Sequence, residues 1–280
     1  MEATTEVVTA APAPVLAAFI DRYVGYRMTG YKPGLHRGLP SRHMTFIVAA
    51  GPPIEVVEQT DRRQPPGSYR CVLSGLQAAP AMIAHTGFQE GVAIELTPLG
   101  SRVLFGMPAS EMWDVTIECS QARRSLGDQL ADAVHAHDDW PSRFAACDRA
   151  LTAAARTESV PGAELTWAWR TLVGTGGTCP INPLAERIGW SRQHLTRKFT
   201  AEFGASPKLA ARIIRFERAR RMLTNTPSYV SIAQIAATCG YYDQAHLNRD
   251  FAELAGVAPT AWLAEEIPSV QDPGAAEARG

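Results

Sequence analysis

The stretch HLTRKF at residues 194–199 returns as HLNRDF at residues 246–251, 52 positions further along the chain. Each copy is followed, at the same spacing, by Gly-x-x-Pro, at residues 204–207 and 256–259. Several identities in the same register are the mark of an internal repeat. The repeat therefore decides the fold of this part of the chain.

Upstream of each copy lies a second shared pattern, in which an apolar residue and Ala are followed four positions later by Gly. It covers residues 184–189 and returns at residues 235–240 with an offset of 51, so the copies differ by one residue between the two patterns. Gly189 permits the positive backbone angle of a tight helix-to-helix turn. The sequence predicts two helix-turn-helix units in tandem, an arrangement that indicates DNA binding.

The helix expected from Ser191 to about Phe203 is the first candidate recognition helix. At 100° per residue, Leu195, Phe199 and Phe203 form one apolar stripe, and polar side chains occupy another side. Arg can donate two hydrogen bonds to guanine and Gln can pair with adenine, whereas cations at the flanks suit phosphates. The DNA-contacting residues predicted on this helix are Arg192, Gln193, Thr196, Arg197, Lys198 and Thr200.

The second copy repeats this geometry with less charge. Leu247 and Phe251 take the buried positions, while polar and small residues face outward. An alternative for Arg197 or Arg249 is an ion pair inside its own domain. The DNA-contacting residues predicted here are Gln244, Ala245, His246, Asn248 and Arg249.

The segment between the copies, residues 207–225, has apolar residues at helical spacing. A helix of about 18 residues is roughly 27 Å long, so it can hold two recognition helices about one turn of duplex apart, near 34 Å. We expect some of its arginines to contact phosphates and others to keep the helix soluble. These arginines are Arg212, Arg215, Arg218, Arg220 and Arg221.

Charge is distributed unevenly. The chain has 280 residues, a net charge of −1, 46% apolar and 20% charged residues, which describes a globular protein of about two domains. Residues 161–264 hold 12 Lys and Arg against 7 Asp and Glu, a net charge of +5, and the remainder is at −6. Because phosphate binding needs local positive charge, the repeated region fits a DNA-binding domain.

The N-terminal half is cut by Pro and Gly into short runs that predict strands of a small sandwich or barrel. Residues 1–13 and 265–280 are predicted to be frayed, and helical spacing begins at Ser120. Helices in this place commonly pair two copies of a regulator or connect its domains. Helices that only pack within their own domain are an equally good interpretation. The predicted strands are Met44 to Ala50, Ile54 to Val57, Tyr69 to Leu73, Ala81 to His85 and Val92 to Leu96.

Composition also indicates where the protein works. No signal segment or membrane span is evident, which predicts a cytoplasmic protein. The five Cys residues are dispersed without a Cys-x-x-Cys pair, so buried free thiols are expected.

The repeat resembles the DNA-binding domain of the arabinose-regulator (AraC/XylS) transcription factors over about 100 residues. The resemblance is carried by LAERIGWS at 184–191, LTRKFTAEFGASP at 195–207 and IAATCGYYDQAHLNRDFAELAGVAP at 235–259. It implies that the recognition helices occupy adjacent major grooves, with Arg197 and Arg249 at positions that commonly contact DNA. Tyr241 and Leu247 stand where Phe is common in the family, and both keep an apolar group.

The N-terminal half is similar, more loosely, to the cupin-like sensor domains that precede this module in many family members. That resemblance implies a pocket for a small-molecule effector of unknown identity and a dimerisation surface. His36, His43 and His85 lack the His-x-His spacing of metal-binding cupins, so no metal, cofactor or catalytic residue is predicted.

Two other functions stay open. The same module is known joined to DNA-repair alkyl-transfer chemistry, but that needs activated thiolates, for which these Cys residues give no pattern. A helical protein-interaction module is the other alternative. The sequence favours a homodimeric transcription regulator that is not an enzyme, binds a double-stranded DNA operator and has RNA polymerase as a candidate partner.

The predicted fold class is α+β, a β-rich cupin-like domain followed by an all-α domain of about seven helices with two helix-turn-helix motifs. The predicted divisions are 1–119 for sensing and dimerisation, 120–160 as a helical connector, 161–264 for DNA binding and 265–280 as a disordered tail.

Overall fold

The computed structural model describes residues 3–226 and 229–265, which form a β-rich N-terminal region and a helical C-terminal region. The strands are β1 (Thr4–Ala10), β2 (Ile20–Thr29), β3 (Gly34–Gly38), β4 (Thr45–Ala49), β5 (Ile54–Glu58), β6 (Gly67–Tyr69), β7 (Cys71–Ser74), β8 (Ala81–His85), β9 (Gln89–Leu96) and β10 (Thr116–Glu118). The helices are α1 (Gly100–Phe105), α2 (Cys119–Ala122), α3 (Arg124–His135), α4 (Trp140–Ala154), α5 (Ala163–Gly174), α6 (Ile181–Arg187), α7 (Arg192–Phe203), α8 (Pro207–Asn225), α9 (Ile232–Thr238), α10 (Gln244–Ala255) and α11 (Pro259–Glu265).

The strands form two antiparallel sheets packed as a sandwich. The larger sheet has the order β1-β2-β9-β4-β7-β10 and the smaller has the order β3-β8-β5-β6. Apolar side chains of both sheets meet between them, among them Val72 of the larger sheet and Ile54 and Val56 of the smaller. The β-rich prediction for the N-terminal half is confirmed.

Helices α3 and α4 pack into the same core as the larger sheet. Leu126, Leu130 and Val134 of α3 are at most 1% exposed and share a cluster with Phe46 and Val48 of β4. The apolar stripe of α3 is therefore buried inside one protomer. Pairing of two copies through this stripe would require it to leave its own core.

Some sequence-based boundaries needed correction. Residues 1–13 were expected to be frayed, but Thr4–Ala10 pairs along its whole length with β2. In this segment polar residues alternate with small ones, a pattern that does not by itself indicate a strand. Its pairing with β2 orders it as an edge strand. The pair Asn182-Pro183 predicts an N-cap at Asn182, but the structure has the cap two residues earlier, at Pro180, and α6 begins at Ile181. The predicted tail falls outside the described residues, except for Glu265, which ends α11.

The C-terminal region has the predicted seven helices, α5 to α11, within the described residues. None of the helices in that described part of the chain is long and apolar enough to cross a lipid bilayer. The cores of both helix-turn-helix units extend into the N-terminal region: Phe19, Leu99 and Val103 join the first, and Leu39 joins the second. The two regions therefore share apolar cores.

Candidate nucleic-acid interface

The first recognition helix, α7, is held by its cap and its apolar stripe. The Ser191 hydroxyl accepts a hydrogen bond from the backbone N–H of His194, which satisfies a free donor of the first turn. Leu195, Phe199 and Phe203 are fully buried, as predicted. Their packing fixes the rotation of the helix and leaves its polar face toward solvent.

The second recognition helix, α10, is built in the same way. The Asp243 carboxylate accepts a hydrogen bond of 2.7 Å from the backbone N–H of His246. Leu247 and Phe251 are at most 1% exposed, and Phe251 packs against Phe216 of α8 with 5.0 Å between ring centroids. Both recognition helices thus begin with a side-chain cap and bury the predicted stripe.

Eight of the eleven predicted DNA-contacting side chains are exposed, and Thr196, His246 and Asn248 are half-buried. The rings of the half-buried His246 and of Tyr241 pack nearly at right angles, with centroids 5.2 Å apart. Among the described residues, neither Arg197 nor Arg249 forms an ion pair. This leaves both guanidinium groups available for an external anion. The exposed residues are Arg192, Gln193, Arg197, Lys198, Thr200, Gln244, Ala245 and Arg249.

The sequence led us to expect that some arginines of α8 contact phosphates and others keep the helix soluble, but four of the five are partly or fully buried in the structure. Arg212 pairs with Asp250 and Glu253 of α10, and Arg221 pairs with Glu217. Arg220 is 1% exposed. Of the five arginines on this helix, Arg218 is the exposed one. Arg212 thus binds α8 to α10, whereas the Arg221 pair lies within α8 itself.

Sequence reasoning missed Tyr242. Its side chain is 92% exposed, although the adjacent Tyr241 is 5% exposed and belongs to the core of the second unit. Tyr242 directly precedes Asp243, the cap of α10, so it lies at the start of the second recognition helix. Two successive tyrosines carry no local signal for which one is buried. The packing of the turn decides it.

The sandwich contains a cavity between its two sheets. Its volume is about 60 Å³, it is partly open to solvent, and both sheets contribute to its lining. The polar residues around it include His36 of β3, Tyr26 of β2 and Gln89 of β9. The sequence offered no effector-binding residue, since the lining comes from segments that are far apart along the chain.

The structure also assembles a charged cluster that the sequence did not predict. Nε2 of His43 lies 2.8 Å from a carboxylate oxygen of Asp21 and 3.9 Å from one of Glu95. Burial alone would raise the pKa of Asp21, but hydrogen bonds from His43 and Arg42 hold that pKa well below its usual range. Arg22 pairs with Glu95 at 2.7 Å. Both carboxylates are thus balanced by guanidinium groups, which favours an ion-pair network over a cation site.

Ion pairs and hydrogen bonds also join the N-terminal region to both helix-turn-helix units. Arg102 of α1 makes two hydrogen bonds, of 2.7 and 2.9 Å, to the carboxylate of Glu202 on α7. Arg37 of β3 donates a hydrogen bond of 2.7 Å to Glu265 of α11. The backbone N–H of Arg42 donates one of 2.9 Å to the buried Glu217 of α8. Each recognition helix therefore sits in a unit that contacts the sandwich.

Comparisons with known proteins match the N-terminal and C-terminal regions to two different families. Residues 184–265 match the family described as "Helix-turn-helix domain", and residues 8–118 match one described as "Domain of unknown function (DUF6597)". The HTH-type transcriptional regulator Rv1931c of Mycobacterium tuberculosis is 37% identical over 84 residues, which are 30% of this chain. The match spans 32% of the length of that relative.

Solved structures resemble most of the chain. ToxT of Vibrio cholerae aligns with a TM-score of 0.51 at 10% identity, covering 93% of this chain and 98% of ToxT. ToxT of Vibrio cholerae O395 bound to (E)-4-(8-methylnaphthalen-1-yl)but-3-enoic acid gives the same score, identity and coverage. Residues 184–265 are therefore an AraC-type helix-turn-helix domain, and the chain has the two-region fold of ToxT.

Proposed function

We propose that this protein is a sequence-specific DNA-binding transcription regulator. The observation that carries the proposal is the pair of exposed polar faces on α7 and α10, each fixed by a cap and a buried stripe. Arg197 and Arg249 lie on these faces, and neither has an ion-pair partner among the described residues. The match to a relative named as an HTH-type transcriptional regulator supports the same function.

The two units would read successive major-groove segments of one duplex. The connecting helix α8 has 19 residues. A helix of that size is about 28 Å long, close to one turn of duplex once the offsets of the recognition helices are added. The eleven side chains named from the sequence are the proposed contacts, and Tyr242 joins them.

A small molecule bound in the sandwich cavity would act as the effector. Strand β3 and the residue after it connect this cavity with the second unit. His36 and Arg37 both line the cavity, Arg37 also pairs with Glu265, and Leu39 packs into the second unit's core. An effector that displaced β3 would change the position of the N-terminal region relative to the second unit. It would thereby change the fraction of molecules that can bind DNA.

The proposal extends to assembly and location. A homodimer would present four recognition helices to a paired site, as regulators of this kind commonly do. Light scattering of the full chain measures its oligomeric state directly. DNA binding also implies a cytoplasmic protein, with RNA polymerase as a candidate partner at the promoter.

The alternative of an alkyl-transfer enzyme draws no support from the thiols. Burial raises the pKa of Cys147 to about 12, and it raises that of Cys239. The pKa of Cys71 is also raised, by its hydrogen bond with Cys119 and by burial. An activated nucleophile needs a lowered thiol pKa, so these side chains fit buried packing residues.

Selection of bound sequences from random duplex DNA by the full chain tests the proposal. We expect enrichment of a site with two half-sites about one turn apart, from the geometry of α8. Absence of any enriched sequence would contradict a regulator. Binding to acidic proteins without DNA binding would favour the helical interaction module.

Substitution of the reading arginines gives a residue-level test. We predict that Arg197→Ala and Arg249→Ala each weaken binding to the selected site by about 1 to 3 kcal/mol, since each loses a base-edge contact. Thermal unfolding stays nearly unchanged because both side chains are exposed. Arg124→Ala, at an exposed position on α3, is the matched control. Unaltered affinity in both variants would contradict the assigned roles.

A further inference from the structure

The cavity between the two sheets has a mainly apolar wall. Ile47 and Val72 come from the larger sheet, and Ile54, Val56 and Ile83 come from the smaller. Branched aliphatic side chains on both sides suit a ligand with an apolar body, since burial of apolar surface is the main favourable term in such sites.

The formal charge around this cavity is already balanced. Among the described residues that line it, Arg37 alone carries a formal charge, and it pairs with Glu265 at 2.7 Å. His36 adds no charge near neutral pH, because burial, and next the nearby His85, lowers the pKa of His36 to about 4. A charged ligand would therefore leave water without a free counter-charge, which is costly.

His36 also supplies an unfilled hydrogen-bonding position. Its Nδ1 is buried and has no hydrogen-bond partner in the described residues. A neutral imidazole nitrogen is either a donor or an acceptor, and a hydroxyl group can complement both. An unpaired buried polar atom is unfavourable, so a ligand hydroxyl at this position would remove the cost.

We propose that the cavity binds an uncharged, mainly apolar molecule with a single hydroxyl-like group that hydrogen-bonds Nδ1 of His36. The inference rests on the proposed function, because this molecule would be the effector of the regulator. It differs from the carboxylic acid bound by the ToxT structure. The balanced charge around the cavity and the neutral His36 imidazole would give this chain a preference for an uncharged ligand.

Two matched pairs of probes test the proposal with the full chain. Calorimetry at pH 7.5 compares 2-naphthalenemethanol with 2-naphthoate, and 1-decanol with decanoate. At least one alcohol is expected to bind, with its carboxylate partner at least tenfold weaker, because the members of a pair differ in charge and share their apolar body. No binding by either alcohol, or equal or stronger binding by the carboxylates, would overturn the proposal.

Substitutions in the cavity wall test whether the alcohols bind there. Val56→Trp fills the space and is expected to abolish alcohol binding, while His36→Leu weakens it about tenfold without changing binding of unsubstituted naphthalene. His36→Gln keeps a polar group and is expected to retain part of the affinity, which separates loss of the hydrogen bond from loss of folding. Leu35→Ala, on the opposite face of β3 and 57% exposed, is the control. Alcohol binding unaffected by both Val56→Trp and His36→Leu would overturn the site.

The two proposals fail separately. Enrichment of a DNA site together with a preference for carboxylates would leave the regulator in place and remove the proposed ligand class. Alcohol binding at His36 without any enriched DNA site would keep the ligand chemistry and remove the regulator.

Discussion

His36 illustrates how the fold changes the chemistry of a single residue. Its imidazole lines the sandwich cavity, 5.7 Å from the ring of His85. Burial, and then the nearby His85, lowers its pKa to about 4, so the folded protein favours the neutral ring. In the unfolded chain the ring takes up its proton near pH 6.5.

The pH dependence of stability follows from this shift. Between pH 6.5 and 4 the unfolded chain binds more protons at His36, so stability from this group is present above pH 6.5 and is lost on acidification. Relative to His36→Leu, the wild type should lose about 2 to 3 kcal/mol of unfolding free energy between pH 7 and pH 4.5, because of this lowered pKa. Urea unfolding at both pH values measures it. Equal losses in the two proteins would show that His36 is not the source.

Tyr242 belongs to the same scale, as an exposed aromatic side chain at the start of α10. A phenolic hydroxyl there can donate a hydrogen bond to a DNA phosphate. We predict that Tyr242→Ala weakens affinity for the selected site by about 1 kcal/mol, since one hydrogen bond is lost. Tyr242→Phe should reproduce the loss if the hydroxyl is responsible. Affinities equal to wild type in both variants would remove Tyr242 from the interface.

At the scale of elements, α8 serves as the spacer between the two recognition helices. It begins at Pro207 after the Ser206 cap, and its apolar side is shared by both units. Ala210 and Ile214 pack into the first core, whereas Ile213 and Phe216 pack into the second. Because one helix supplies both cores, the separation of the units depends on its continuity.

Removal of the Phe216 ring tests this role. The side chain is fully buried and packs against Phe251, so Phe216→Ala leaves a cavity in the second core. We predict a loss of about 3 to 5 kcal/mol in unfolding free energy. Hydrogen exchange should locate the loosening in α9 and α10. Arg218→Ala, on the exposed side of α8, is the control, and a cost below about 1 kcal/mol for Phe216→Ala would contradict the packing.

The whole molecule depends on contacts that cross between its two regions. Phe19, Leu99 and Val103 complete the core of the first helix-turn-helix unit, and Arg102 pairs with Glu202 beside them. Glu202 is 6% exposed. Its carboxylate therefore needs the guanidinium group as a partner.

A double-mutant cycle measures this contact. Arg102→Ala should destabilise the protein by about 1 to 3 kcal/mol, below the cost of a fully buried pair because Arg102 is partly exposed. Adding Glu202→Gln should recover part of the loss, since no buried charge then lacks a partner. Thermal unfolding of the two single variants and the double variant gives the coupling. Strictly additive effects would mean that the pair does not couple the regions.

The sequence by itself determined the helical part of this protein. The repeat, the helix start at Ser191 and the stripes ending at Phe203 and Phe251 could all be read from spacing. Helix periodicity and capping involve residues three or four positions apart, so a local pattern is enough to specify them.

Only the tertiary structure decided which strands pair, which tyrosine is exposed and where a ligand could enter. β1 is ordered by β2, the cavity is lined from both sheets, and Asp21, His43 and Glu95 meet from separate strands and loops. These contacts join residues distant in sequence, where pairing depends on the closure of long loops and on shared burial. For the same reason, the two helix-turn-helix units look separable in the sequence, whereas the folded chain completes their cores with residues of the sandwich.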